Sequence, residues 1–122
     1  MMENKNVLIE KYRNRIKNTA LAWMKKKTGG NLLIINLPAE KIVTVEITEQ
    51  YMDLLLRRFE ALARGEFGKI EGNKIINSSY QDAIGINKET EYLTESGKLI
   101  IDDLLMEVVE YVKEKHVGGG VI

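Results

Sequence analysis

Residues 32–47 read LLIINLPAEKIVTVEI, two apolar runs on either side of the chain's only proline, and the fold class follows from how they pair. Leu32 to Leu37 is short and almost unbroken in its apolar character. Ile42 to Ile47 alternates, with Val43, Val45 and Ile47 opposed to Ile42, Thr44 and Glu46, which is the two-residue period of a strand. Pro38 begins a Pro-Ala-Glu-Lys link of hairpin length, where its fixed φ suits the second position of a turn. An antiparallel hairpin is therefore expected. Because residues 32–37 are apolar on both faces, each side needs a cover, supplied either by helices of the same chain or by a second copy.

Upstream, Ile9, Tyr12, Ile16, Ala20 and Trp23 recur at three- and four-residue steps, which predicts an amphipathic helix from Val7 to Thr28. Asn4 or Asn6 can cap it and Gly29 can stop it, while Lys25, Lys26 and Lys27 lie at the negative end of its dipole. Downstream, Thr48 is expected to cap a second helix ending at Arg64, with Ile47 and Met52 as a staple and Gly65 as terminator. Residues 65–93 carry four glycines and many polar groups, so this segment is expected to be loop-rich. Residues 70–75 read as a tight hairpin about Gly72-Asn73, and Ser78 with Gln81 reads as a capping box for one helical turn. Thr94 opens a last helix carrying Ile101, Leu104, Leu105, Val108 and Val112 on one face and acidic residues on another, with Lys113, Lys115 and His116 near its end. The expectation is one α+β domain over residues 1–117, in the order α-β-β-α, an irregular segment or short hairpin, then α, with helices packed on the first hairpin. Residues 118–122, which include three glycines, are expected to form a flexible tail.

The 18 basic and 18 acidic side chains of the 122 residues sum to zero but are sorted along the chain. Residues 1–27 hold eight cations against Glu3 and Glu10, and residues 67–122 hold six lysines against ten carboxylates. Sorting of this kind points to an anionic partner for the first helix or to attraction between the two ends, within one chain or between copies. The basic candidates for partner or phosphate contact are Lys11, Arg13, Arg15, Lys17, Lys25 and Lys26, spread over both flanks of the apolar stripe. The acidic counterpart is the row Asp103, Glu107, Glu110 and Glu114.

Catalytic and metal-binding patterns are missing. With no cysteine, disulfide frameworks and thiolate chemistry are excluded, and a reducing cytoplasmic setting is the simpler expectation. His116 is the only imidazole, and none of Ser78, Ser79 or Ser96 lies in a nucleophile elbow. The acidic row has no accompanying Asp-x-Asp-x-Asp-Gly loop or His-x-x-x-His helix, and Asp102 and Asp103 point about 100° apart on a helix, unsuited to sharing a proton. Lys25 to Gly30 has the polarity of a phosphate loop reversed, since its lysines close a helix that the loop would have to open. No apolar run approaches the ~20 residues of a spanning helix, so no membrane partner is expected, and no cofactor is expected either. The chain thus reads as a non-enzymatic interaction protein, a regulator or inhibitor binding a macromolecular partner through a charged face, with homodimerisation anticipated. A nucleic-acid-binding module using the basic helix is the alternative, and small-ligand sequestration at an oligomer interface a further one.

Overall fold

The computed structural model describes residues 5–120, with side chains from 8 to 116. The described chain is an α+β fold of four α-helices and two antiparallel hairpins: α1 (Lys5–Thr28), β1 (Leu32–Leu37), β2 (Lys41–Glu46), α2 (Glu49–Phe67), α3 (Lys69–Ala83), β3 (Ile84–Asn87), β4 (Thr90–Leu93) and α4 (Glu95–Gly120). The first two helices and the first hairpin stand where the apolar patterns placed them. Gly29 stops α1 at φ 77°, and its N–H donates to the Lys25 carbonyl at 2.8 Å. Asn6 lies inside α1, and Asn4, the other expected cap, is outside the described residues. Strands β1 and β2 pair in the register Leu33↔Val45 and Ile35↔Val43, and Pro38 opens the link between them. Thr48 caps α2 by accepting the Tyr51 N–H at 3.0 Å, and Ile47 and Met52 are both fully buried.

The segment 65–93 corrects the sequence reading. Gly65 does not end α2, which continues to Phe67. The terminator is Gly68, at φ 84° and ψ 166°, a combination essentially confined to glycine. Residues 70–75 are not a hairpin and Ser78 is not a cap, since all lie within the 15-residue α3. Its buried positions, Gly72, Asn73, Ile76, Tyr80 and Ala83, follow a helical stripe, but two of them are residues that propensity assigns to turns. Gly72 is demanded by proximity: a Cβ there would stand 2.7 Å from the Arg64 Cα and 3.0 Å from the Ala63 oxygen, so the backbones of α2 and α3 cross in near contact.

The second hairpin lies later than expected, at residues 84–93, around Lys88 and Glu89, both at positive φ without any glycine. Tyr92 lies across its register partner Gly85, filling the space where a side chain would be. Thr94 caps α4 as expected, accepting the Gly97 N–H at 3.1 Å. Helix α4 runs through Gly120 and so takes in part of the segment expected as a tail; residues 121 and 122 lie outside the described residues.

Helix α3 is the hub, packing against α1, α2 and α4. One core joins Ile9, Ile16 and Ala20 of α1, Met52 and Leu56 of α2, Ile76 and Tyr80 of α3, and Ile101 and Leu104 of α4. The helices pack largely on one another, and the expected packing on the first hairpin is present on one face, where Leu33 and Val45 lie against this core. That hairpin is covered on one side only. Ile35 and Leu37 are buried, whereas Ile34 on the opposite face is 63% exposed and Ile42 66% exposed. Among the described residues nothing plays the part of the second cover.

Candidate functional site

Arg13, one of the basic candidates for partner contact, is buried. Only 7% of this residue is accessible, and its guanidinium is held by Glu60 of α2, which is buried to 1%, through two bonds: Nε to Oε2 at 2.7 Å and Nη2 to Oε1 at 2.6 Å. The Tyr80 hydroxyl donates to Glu60 Oε2 at 2.8 Å, and Arg64 Nη2 stands 3.8 Å from Oε1. Arg64 is fixed in turn by a 2.8 Å bond from Nε to Oδ1 of Asn73. Three helices thus converge on one carboxylate, with Phe59 stacked on the Tyr80 ring at 5.8 Å between centroids.

Electrostatics follows from this geometry. The hydrogen bonds to Glu60 hold the Arg13 guanidinium above its ordinary pKa, against the opposing effect of burial. Burial, reinforced by the Glu60 charge and hydrogen bond, pushes the Tyr80 phenol far above the tyrosine range, so it stays a neutral donor. A buried ion pair is a poor way to gain stability, because desolvating both charges offsets most of their attraction. What this one does achieve is to fix the two arginines from behind. Arg13 and Arg64, with Glu10, Arg57 and Lys69, line an open cleft of about 460 Å³.

The remaining basic candidates divide. Arg15 pairs with Glu91 of β4 at 2.6 Å, and Lys17 lies 3.8 Å from Glu49 and 3.9 Å from Asp53 of α2. Lys11, Lys25 and Lys26 are exposed and enter no ion pair among the described residues, while Lys27 Nζ sits 4.9 Å over the Trp23 ring. Three of the cations of α1, Arg13, Arg15 and Lys17, are thus answered by α2 and β4. No ion pair among the described residues joins α1 to the acidic row of α4. In that row Glu107 pairs with Arg58 at 3.0 Å, whereas Asp103, Glu110 and Glu114 are exposed without ion partners among the described residues.

At 100° per residue, Asp102, Asp103 and Glu110 surround Met106 on the outer face of α4. Met106 is 56% exposed and helps line a mainly apolar cleft of about 240 Å³ with Trp23, Leu32, Leu105 and Val109, which Lys27 and Asp102 also line. Sequence reasoning found the carboxylates but missed the apolar centre they enclose. Trp23 and Leu32 are distant in the chain from α4 and only tertiary packing brings them beside it. Glu60, Arg64, Asn73 and Tyr80 were missed for a related reason: as single polar residues in helical segments, nothing marked them as one cluster. Among the described residues no group of three or more His, Cys, Asp or Glu could hold a metal ion, and no helix is long and apolar enough to cross a membrane. No family model, curated protein or solved structure matches this chain.

Proposed function

We propose that the chain is a non-enzymatic interaction protein, a regulator or inhibitor that docks a basic surface of a protein partner through the outer face of α4. The observation that carries this reading is the contrast between the two charged helices. Arg13, Arg15 and Lys17 have their counter-ions inside the chain, while Asp102, Asp103 and Glu110 face outwards around Met106. An apolar centre within a charged rim is the anatomy of a protein interface, in which the centre supplies affinity and the rim speeds encounter and selects the partner. Nucleic-acid binding through α1 has less support, because Lys11, Lys25 and Lys26 are what is left of its candidate contacts. Reversing Asp103 and Glu110 to lysine should reduce capture of protein partners at least about tenfold, a loss of roughly 1.4 kcal/mol or more. Reversing Lys11, Lys25 and Lys26 to glutamate should leave capture unchanged. Quantitative affinity capture from the host compares the two variants, and the opposite ranking would reject the assignment.

Self-association belongs to the same reading. The uncovered face exposes Leu32, Ile34 and Ile42 beside Asn36, Thr44 and Glu46, and a second copy related by a two-fold axis would cover its apolar side chains. The chain's formal charge of zero puts no net repulsion in the way. Light scattering should give twice the chain mass at micromolar concentration and a monomer for Ile34→Asp. A monomeric wild type at high concentration would remove the dimer.

A further inference from the structure

We propose that the cleft lined by Arg13, Arg57, Arg64 and Lys69 is a binding site for the phosphoryl group of a small phosphorylated molecule. Four of its five lining side chains are cationic, and they come from three helices. Two of them are held in place by the interior. Arg13 is gripped through two nitrogens by the buried Glu60, and Arg64 is tied to Asn73 and lies beside the same carboxylate. An arginine fixed in this way loses little side-chain entropy when it meets an anion, and Nη1 of Arg13 and the terminal nitrogens of Arg64 make no hydrogen bond among the described residues. This also gives the buried ion network a purpose that stability does not supply, since apolar residues of similar volume would generally serve stability as well.

The other two cations are adaptable. Arg57 is more than half exposed and pairs with Asp53 at 2.6 Å, a contact weak enough at the surface to yield to a doubly charged ligand. Lys69 is exposed and enters no ion pair among the described residues. It is also the first residue of α3, whose amino terminus follows Gly68 and carries no side-chain cap, so the helix dipole adds to the attraction. Glu10 is the one carboxylate in the lining. It opposes an anion, and its removal provides a test of sign. The cleft volume falls within the range of sites for small ligands, with room for more than the phosphoryl group itself.

Isothermal titration with pyrophosphate at fixed ionic strength tests the proposal, using wild type, Lys69→Gln, Arg57→Gln, Glu10→Gln and Lys26→Gln. All four substitutions are at exposed positions, which leaves the buried network intact, and circular dichroism checks the fold. Wild type should bind. Lys69→Gln and Arg57→Gln should each weaken binding about five- to tenfold, Glu10→Gln should tighten it, and Lys26→Gln should leave it unchanged. No binding by wild type, or equal weakening by Lys26→Gln, would overturn the site. Sedimentation with vesicles containing phosphatidic acid separates a soluble ligand from a lipid headgroup. Binding to vesicles without binding to pyrophosphate would overturn the small-molecule assignment. Because none of these residues lies on α4, a failure here leaves the docking face standing, and the reverse also holds.

Discussion

Glu60→Ala should cost about 3–5 kcal/mol of stability, the largest effect expected of any single polar substitution in this chain. It removes the carboxylate that receives two bonds from Arg13 and one from Tyr80, leaving a guanidinium buried to all but 7% without a counter-charge. The midpoint of urea unfolding measures the loss, and a change under about 1 kcal/mol would show that the pair contributes nothing specific. If the variant does not fold, the triple substitution Arg13→Met, Glu60→Leu, Tyr80→Phe distinguishes the causes. Apolar residues of similar volume should recover most of the stability, because they remove both the attraction and the desolvation cost. The same network sets an alkaline signature. Tyr80 keeps its proton in the folded state well beyond the pH at which an unfolded tyrosine releases one, near 10. Its contribution is therefore complete below that pH and declines above it, by up to about 1.4 kcal/mol per pH unit. Tyr80→Phe should be less stable than wild type at neutral pH, and the difference between the two should shrink as pH rises past about 10.

Gly72→Ala is the second large effect. In an unconstrained helix the added methyl would gain up to about 1 kcal/mol of propensity. Here it meets the backbone of Arg64 and Ala63 at 2.7–3.0 Å, and neither atom is the end of a flexible side chain that could swing away. Separating α2 from α3 costs about 3 kcal/mol of packing, so a net loss of about 2 kcal/mol is expected. Gly65→Ala makes the control. It adds the same methyl within α2, where nothing lies within 4 Å, and should be neutral or stabilising. Thermal unfolding should come earlier in Gly72→Ala and at the same or a higher temperature in Gly65→Ala, and a stabilised Gly72→Ala would contradict the close crossing of the helices.

That glycine also explains how far the fold could be read in advance. Helices α1, α2 and α4 and the first hairpin announce themselves through apolar residues at regular steps, through Thr48 and Thr94 as caps, and through Pro38 at a turn. Helix α3 is central to the core and yet hidden, because its contact with α2 requires a residue with no side chain and its neighbour Asn73 is buried to hold Arg64. Local propensity reads Gly-Asn as a turn, and tertiary contact overrides it. The second hairpin was displaced for the opposite reason: Lys88 and Glu89 adopt positive φ without the glycine or asparagine that usually marks such a turn.

The charge pattern was legible as a pattern but not as a set of partners. Lysines and arginines of α1 look alike in sequence, yet Arg13 is paired with buried Glu60, Arg15 and Lys17 lean on β4 and α2, and Lys25 and Lys26 face outwards. Which cation meets which carboxylate depends on how α1 is seated on α2 and α3, and no spacing within α1 encodes that. The acidic row of α4 suffers less from this ambiguity, since its place opposite Ile101, Leu104 and Val108 turns it outwards whatever lies beneath.

Photo-crosslinking tests the assignment of the docking face most directly. A photoreactive phenylalanine analogue placed at Met106, in the middle of the acidic face, and separately at Lys26, at the exposed end of α1, would be irradiated in the intact host. A protein adduct from position 106 and none from position 26 is the predicted result. Adducts from position 26 alone, whether to protein or to nucleic acid, would contradict it.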